Sequence, residues 1–400
     1  MRYAPFVQRL ENKGSRAWEL HAAAGRRVAQ GHDVVMLSIG DPDFDTPAGV
    51  VDAAVASLRA GHTHYSWIEG SPELRRAIAR RHERMHGVAV DPDRVVATLG
   101  AQGALYSAIL CLAGPGDEVI VPEPMYVTYE GVIGASGATM VTVPLRGEDR
   151  FHLDPAALER AVTPRSRVLL LTSPHNPTGA VLSREELAAI GAVCTRHDLW
   201  LVSDEVYGSV TYGVPHVSPS TLPGLAERTV VIDSLSKSHA MCGWRVGWIV
   251  GPRAMAHHLY NLGLAMHYGL PTFVQEAAAA ALDAEHPELE RMRRTFRERR
   301  DLVADRVRNM PMLDCVVPEG AMYVMVDVRG TGMGSETFAW RLLDEANVAA
   351  LPADGFGPSG AGYLRWSLTA PTARLDEALR RLDVFVRGLA AAGAPAITAE

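Results

Sequence analysis

Residues 166–179 read SRVLLLTSPHNPTG, residues 199–207 read LWLVSDEVY, and residues 228–238 read RTVVIDSLSKS. Each begins as a short run of leucine and β-branched residues and ends in turn-forming and polar ones, the form of a strand buried on both faces. DRVVATLG (93–100), DEVIVPEP (117–124) and TMVTVPL (139–145) have the same form. Helical patterns lie between them, including AQGALYSAILCLAG (101–114) and SREELAAIGAVCTRHD (183–198). Strand and helix in alternation predict an α/β fold with a parallel sheet, helices on both faces, and a ligand at the carboxyl ends of the strands. The polar sets SPHNP, SDEVY and SLSKS stand at three such ends and converge if their strands are neighbours.

From Pro271 to Met310 the pattern turns helical and heavily charged, with ELERMRRTFRERRDLVADRVRN (288–309), and predicts a long surface helix linking two units. Beyond it, GAMYVMVDVRG (320–330) and AGYLRWSLTA (361–370) read as strands and SETFAWRLLDEANV (335–348) as a helix, so a smaller α+β unit is expected there. The small-residue tail AAAGAPAITAE (390–400) is expected to fray.

A chain of 400 residues exceeds one ordinary domain, and 48% hydrophobic with 21% charged residues is the composition of a folded globular protein. A net charge of -7 argues against a nucleic-acid partner, which needs a clustered positive field. No apolar run has signal-peptide or membrane-spanning length, so the expected location is the cytoplasm, with no membrane partner. The four cysteines form no C-x-x-C pair, so neither a zinc site nor a disulfide framework is expected, and no metal is assigned. No strand is followed by G-x-G-x-x-G, which argues against a dinucleotide-binding protein.

Of the 39 basic residues, only Lys13 and Lys237 are lysine. Arginine has replaced lysine almost everywhere the choice was open, yet Lys237 survives in SLSKSHAMCGWR. Chemistry that needs a primary amine forbids arginine, whose guanidinium stays protonated and forms no imine.

Asn176 in SPHNPTG, Asp204 and Tyr207 in SDEVY, Ser234, Ser236 and Lys237 in SLSK, and Arg245 in GWRVGW occur in this order at these spacings. With that set the chain resembles the fold-type I, class I and II pyridoxal 5'-phosphate (PLP) aminotransferases over nearly its whole length. The resemblance implies a large PLP-binding domain (46–290), with a mostly parallel seven-stranded sheet between helices. It also implies a smaller α+β domain made of 1–45 and 291–400, a homodimer with shared active sites, and ping-pong transfer between an amino acid and a 2-oxo acid.

The chemistry such a cofactor needs can be matched to residue types. A lysine, Lys237, must hold the aldehyde, and the same amine once freed can shuttle a proton at the substrate's Cα. A buried carboxylate must keep the pyridine nitrogen protonated, and Asp204, flanked by the apolar Val202 and Val206, suits that role. Asn176 and Tyr207 offer donors to the phenolic oxygen. The phosphate needs amides at a helix start, which Gly100, Ala101 and Gln102 offer, together with Ser234, Ser236 and the cation of Arg245. By resemblance, Tyr126 stacks on the ring, Tyr65 reaches the phosphate from the partner subunit, Arg365 grips the substrate's α-carboxylate, and Gly40 and Asn176 approach that same carboxylate.

The position of Gln102 is a lysine in the aspartate-using branch, and an uncharged amide there argues against an acidic donor. With MRYAPF, LSIGDPDFDTP, EPMYVTYE, HDLW, HVSP and MYVMVD beside the motifs above, the chain resembles, within the family, enzymes that pair arginine with pyruvate, and is similar to those that make enduracididine-type cyclic guanidino amino acids for peptide antibiotics. That implies a guanidino-bearing substrate. Asp41, Asp43, Glu69 and Glu123 are candidates to receive it, each equally readable as a cap or a surface charge. The alternatives are broader, aromatic or aspartate specificity, or a PLP-dependent lyase or oxidase on the same fold.

Overall fold

Val95–Leu99 (β1), Glu118–Glu123 (β2), Thr139–Pro144 (β3), Ser166–Thr172 (β4), Trp200–Asp204 (β5), Thr229–Ser234 (β6) and Val246–Val250 (β7) form one seven-stranded sheet in the order β1-β7-β6-β5-β4-β2-β3. The computed structural model describes residues 2–3, 5–10 and 15–391, so Lys13 and the tail from residue 392 lie outside the described residues. Strands β3, β2, β4, β5 and β6 pair in parallel, whereas β7 is antiparallel to both β6 and β1. Only residues 235–245 separate β6 from β7. That link is too short for a helical crossover, so the chain turns back and β7 enters the sheet reversed. DRVVATLG is therefore a strand as expected, but its ladder partner is antiparallel.

The inner strands are buried along their length, and alternate residues feed two cores. Leu169, Leu171 and Leu201 pack with Leu187, Ile190 and Val193 of helix Arg184–Arg196. Val168, Leu170, Val202 and Val230 pack on the other side with Ala104, Leu105 and Ile109 of helix Gly100–Leu112. Truncating one such leucine to alanine costs about 2–5 kcal/mol. TMVTVPL, expected as a buried strand, is instead the sheet's edge, with Val143 the only buried residue of the strand Thr139–Pro144.

Where one long helix was expected after Pro271 there are two, Thr272–Asp283 and Pro287–Arg308. Pro287 lacks the N–H that would continue the first helix and disfavours helical backbone at His286, so it starts a second one. The first of them is not a surface helix, since Val274, Gln275, Ala277, Ala278 and Ala281 are buried.

A four-stranded antiparallel sheet runs Leu351–Pro352, Tyr363–Ser367, Tyr323–Asp327, Asp314–Val316. Helices Pro287–Arg308, Ser335–Ala346 and Thr372–Ala391 pack with it around Phe296, Phe338, Trp366 and Leu382. Helix Ser15–Ala29 joins that core through Leu20 and Ala24, and Val35–Met36 pairs with Val348–Ala349. No helix among the described residues is long and apolar enough to cross a membrane.

Candidate active site

Strands β4, β5 and β6 are neighbours, and Thr172 lies opposite Asp204 in the ladder, so the polar sets that follow these strands do converge. They open onto a cavity of about 320 Å³ that Lys237, Asp204, Tyr207, Asn176, Ser234, Ser236, Arg245, Tyr126, Ala101, Gln102, Gly40 and Arg365 all line. Gly100 stands directly behind it, against Arg245. Tyr65 does not reach the cavity; it is 86% exposed and packs on Tyr268 with ring centroids 4.9 Å apart.

Lys237 sits in the turn after β6, where its Nζ donates to the Gly40 carbonyl at 2.5 Å and lies 3.4 Å from Cys242 Sγ. Asp204 is the last residue of β5. Burial pushes its pKa up to about 6, although the Tyr129 hydroxyl donates to Oδ2 at 2.7 Å and the Val206 N–H to Oδ1 at 3.4 Å. A carboxyl kept dry with only neutral donors calls for a cationic N–H from a ligand. Behind it the buried Glu205 is held by the hydroxyls of Ser203 and Ser218 and by His216 Nε2, at 2.7–2.9 Å.

Helix Gly100–Leu112 starts without a side-chain cap, which leaves its first amides for an anion. Gly100 has φ +69°, and a Cβ there would stand 2.4 Å from the Arg245 guanidinium. A Cβ on Gly247 would strike the Gly100 carbonyl carbon at 2.4 Å and the Ala101 nitrogen at 2.5 Å. Two glycines thus let the helix start, the strand and the arginine close on one point. The Arg245 side chain is anchored on the Cys242 carbonyl at 2.8 Å.

At the other end Arg365 is sandwiched between the rings of Tyr323 and Phe356, 4.5 and 4.6 Å from their centroids. One nitrogen donates to the Ser38 carbonyl at 2.7 Å and another to Asn176 Oδ1 at 3.3 Å, while the buried Nε has no partner among the described residues. A substrate carboxylate would satisfy that orphan donor. Because Asn176 accepts with its oxygen, its amide nitrogen remains to donate. The Tyr207 hydroxyl lies 3.0 Å from that of Tyr323.

An amine, a dry carboxyl, an uncapped helix start beside an arginine, and a second arginine with an unmet donor match PLP and an amino acid group by group. Sequence reasoning missed Tyr129, Tyr323, Thr172, Cys242 and Trp18, which also line the cavity. The spacing of Tyr126 and Tyr129, three residues apart, was an available signal for the first; nothing in the sequence marks the others.

The chain matches the family model for aminotransferase class I and II over residues 32–382. It is 52% identical over 382 residues to an arginine–pyruvate transaminase of Pseudomonas aeruginosa, covering 96% of this chain and 97% of the relative. To an aspartate aminotransferase of Musicola paradisiaca it is 37% identical over 342 residues, 85% of this chain and 86% of the relative. Among solved structures, an aspartate aminotransferase from Thermus thermophilus with maleate superposes with a TM-score of 0.91 at 35% identity, covering 96% of this chain and 100% of that one. An aromatic aminotransferase from Pyrococcus horikoshii superposes with a TM-score of 0.87 at 36% identity, covering 92% and 100%.

Proposed function

This chain belongs to the class I and II aminotransferases, PLP-dependent enzymes that move amino groups between amino acids and 2-oxo acids, and from that premise we propose that its donor is a guanidino-bearing L-amino acid of the arginine or enduracididine type. Pyruvate or another 2-oxo acid is the acceptor. The likeness to the arginine–pyruvate transaminase carries the choice of donor. The uncharged Gln102 in the cavity wall supports it, because a distal carboxylate would find no cation there.

When bound, PLP supplies an aldehyde for an amine and a protonated ring that draws electrons from the substrate's Cα. In this reading Lys237 would hold the aldehyde, and its Nζ would take the proton from the substrate's Cα. Asp204 would keep the ring nitrogen protonated, Asn176 and Tyr207 would donate to the phenolic oxygen, and Tyr126 would cover the ring. Gly100, Ala101 and Gln102 present amides to the phosphate, with Ser234, Ser236 and Arg245 completing its grip. Arg365 orients the substrate through its α-carboxylate, with Gly40 and Asn176 beside it. Both half-reactions use this one pocket, hence a ping-pong order.

The proposal includes a cytoplasmic homodimer in which Tyr65 of one subunit completes the phosphate site of the other. Support comes from the exposed aromatic group of Tyr65, Trp67 and Tyr268 outside the cavity. It also includes the two-domain division of 46–290 against 1–45 and 291–400. The core that gathers Leu20, Val35, Phe296, Phe338 and Leu382 around the second sheet supports it.

A donor screen with pyruvate tests the substrate. Arginine or a cyclic guanidino analogue should exceed aspartate in kcat/KM by at least about tenfold; preference for aspartate overturns the guanidino donor. With donor alone, turnover should stop after one equivalent and resume on adding a 2-oxo acid, whereas continuous ammonia release would mark a lyase.

A further inference from the structure

The charged side chains that line the cavity are Lys237, Asp204, Arg245, Arg365 and Asp41. The reading above, on which this inference rests, gives the first four their roles and leaves Asp41. It has no ion-pair partner among the described residues, its side chain meeting only the neutral Cys242 thiol, and it stands exposed on the cavity wall with Ile39 and Trp18, the latter 37% exposed. The other acidic candidates are committed elsewhere. Asp43 takes both terminal nitrogens of Arg299 at 2.6 and 2.8 Å, Glu123 accepts the Ser359 N–H at 2.7 Å, and Glu69 faces Arg75 at 3.8 Å; none of them lines the cavity.

We propose that Asp41 and Trp18 form a distal subsite that reads a planar cationic side chain, Asp41 through paired hydrogen bonds to a guanidinium and Trp18 through its indole face. A carboxylate matches the guanidinium fork, and an aromatic face attracts the same flat cation. The wall also offers apolar surface to the aliphatic stem, since Ile39 and Leu105 line the same cavity.

The two ends of the substrate site are tied together through Ser38. Its carbonyl accepts from Arg365 at 2.7 Å, and its hydroxyl lies 2.8 Å from His21 Nδ1. The His21 ring in turn meets Trp18 edge to face, with centroids 5.7 Å apart. The helix Ser15–Ala29, which carries Trp18 and His21, is thereby held in register with the arginine that grips the α-carboxylate. A donor spanning both ends is measured for length as well as charge. A lysine side chain carries the charge without the planar fork and is a poorer fit.

The test compares kcat/KM, with pyruvate as acceptor, for L-arginine and for L-citrulline, its uncharged ureido isostere. Wild-type enzyme should prefer arginine. Asp41→Asn should lower the arginine-to-citrulline ratio about tenfold, and Asp41→Glu should keep it within about threefold of wild type, because the charge is retained. Trp18→Leu should lower it about threefold. A further measurement needs no variant: wild-type enzyme should use L-lysine at least about tenfold less well than arginine, and equal use overturns the planar subsite. If wild type prefers arginine and Asp41→Asn retains that preference, the subsite is wrong while the guanidino donor stands. If wild type makes no distinction between arginine and citrulline, both fall.

Discussion

Asp204 is a carboxyl whose buried surroundings work against its charge. In the unfolded chain its pKa is near 3.8 and in the fold it is pushed up to about 6 by burial, so its ionisation opposes folding. That cost is absent below about pH 4 and complete above about pH 7, where it reaches about 3 kcal/mol. Asp204→Asn should therefore stabilise the cofactor-free protein at pH 8 by about 1–3 kcal/mol in urea unfolding, while transaminase activity falls by about 10²–10³-fold. Lower stability in the variant would contradict this account of the site. The same residue shows what a sequence can disclose. Lys237, Asp204 and Arg365 stand out because the chemistry admits no other residue type. Tyr129 and Tyr323 do not, because a tyrosine acquires a role only from what the fold sets beside it: Asp204 in one case, and Arg365 and Tyr207 in the other.

Elements place these residues, and the glycines between them set how closely the elements approach. The Cβ of Gly247→Ala would meet backbone atoms of Gly100 and Ala101, which cannot swing aside as a side chain would. The substitution should cost about 1–3 kcal/mol of stability and weaken PLP binding measurably in a titration, because it moves the helix start that would receive the phosphate. Ser183→Ala is the contrasting change. It removes a capping box with Glu186 at the start of helix Arg184–Arg196, away from the cavity. It should cost about 1 kcal/mol in thermal or urea unfolding and leave kcat/KM as it was. Strand runs were legible because burial on both faces selects Val, Ile and Leu. Strand β7 was hidden inside a stretch read for its arginine, and its reversed direction follows from the length of a connection rather than from any residue in the strand.

For the whole molecule, strand order was not legible, and the meeting of distant segments escapes local pattern, since nothing local states that residues 38, 176 and 365 touch. The pH response is also a property of the whole. Burial holds His86 at about 4, and His175 and His239 at about 3, below the ordinary 6.5. Such groups favour the fold fully above pH 6.5 and lose that contribution as the pH falls, because the unfolded chain takes up protons that the fold refuses. By pH 5 each has given up about 2 kcal/mol, a large share of an ordinary domain's stability, while Asp204 returns part of it. Circular dichroism should report cooperative unfolding between about pH 6 and 4; a fold unchanged at pH 4 would mean that these rings find protons or water inside. The short return from β6 to β7 has one more consequence. Lys237 and Arg245 ride on the same link between two antiparallel strands, so a coenzyme held by both would act as a rivet through that turn. Stripping it should quicken amide hydrogen exchange first in β7 and in β1 beyond it, well before the helices that flank the opposite edge take up deuterium.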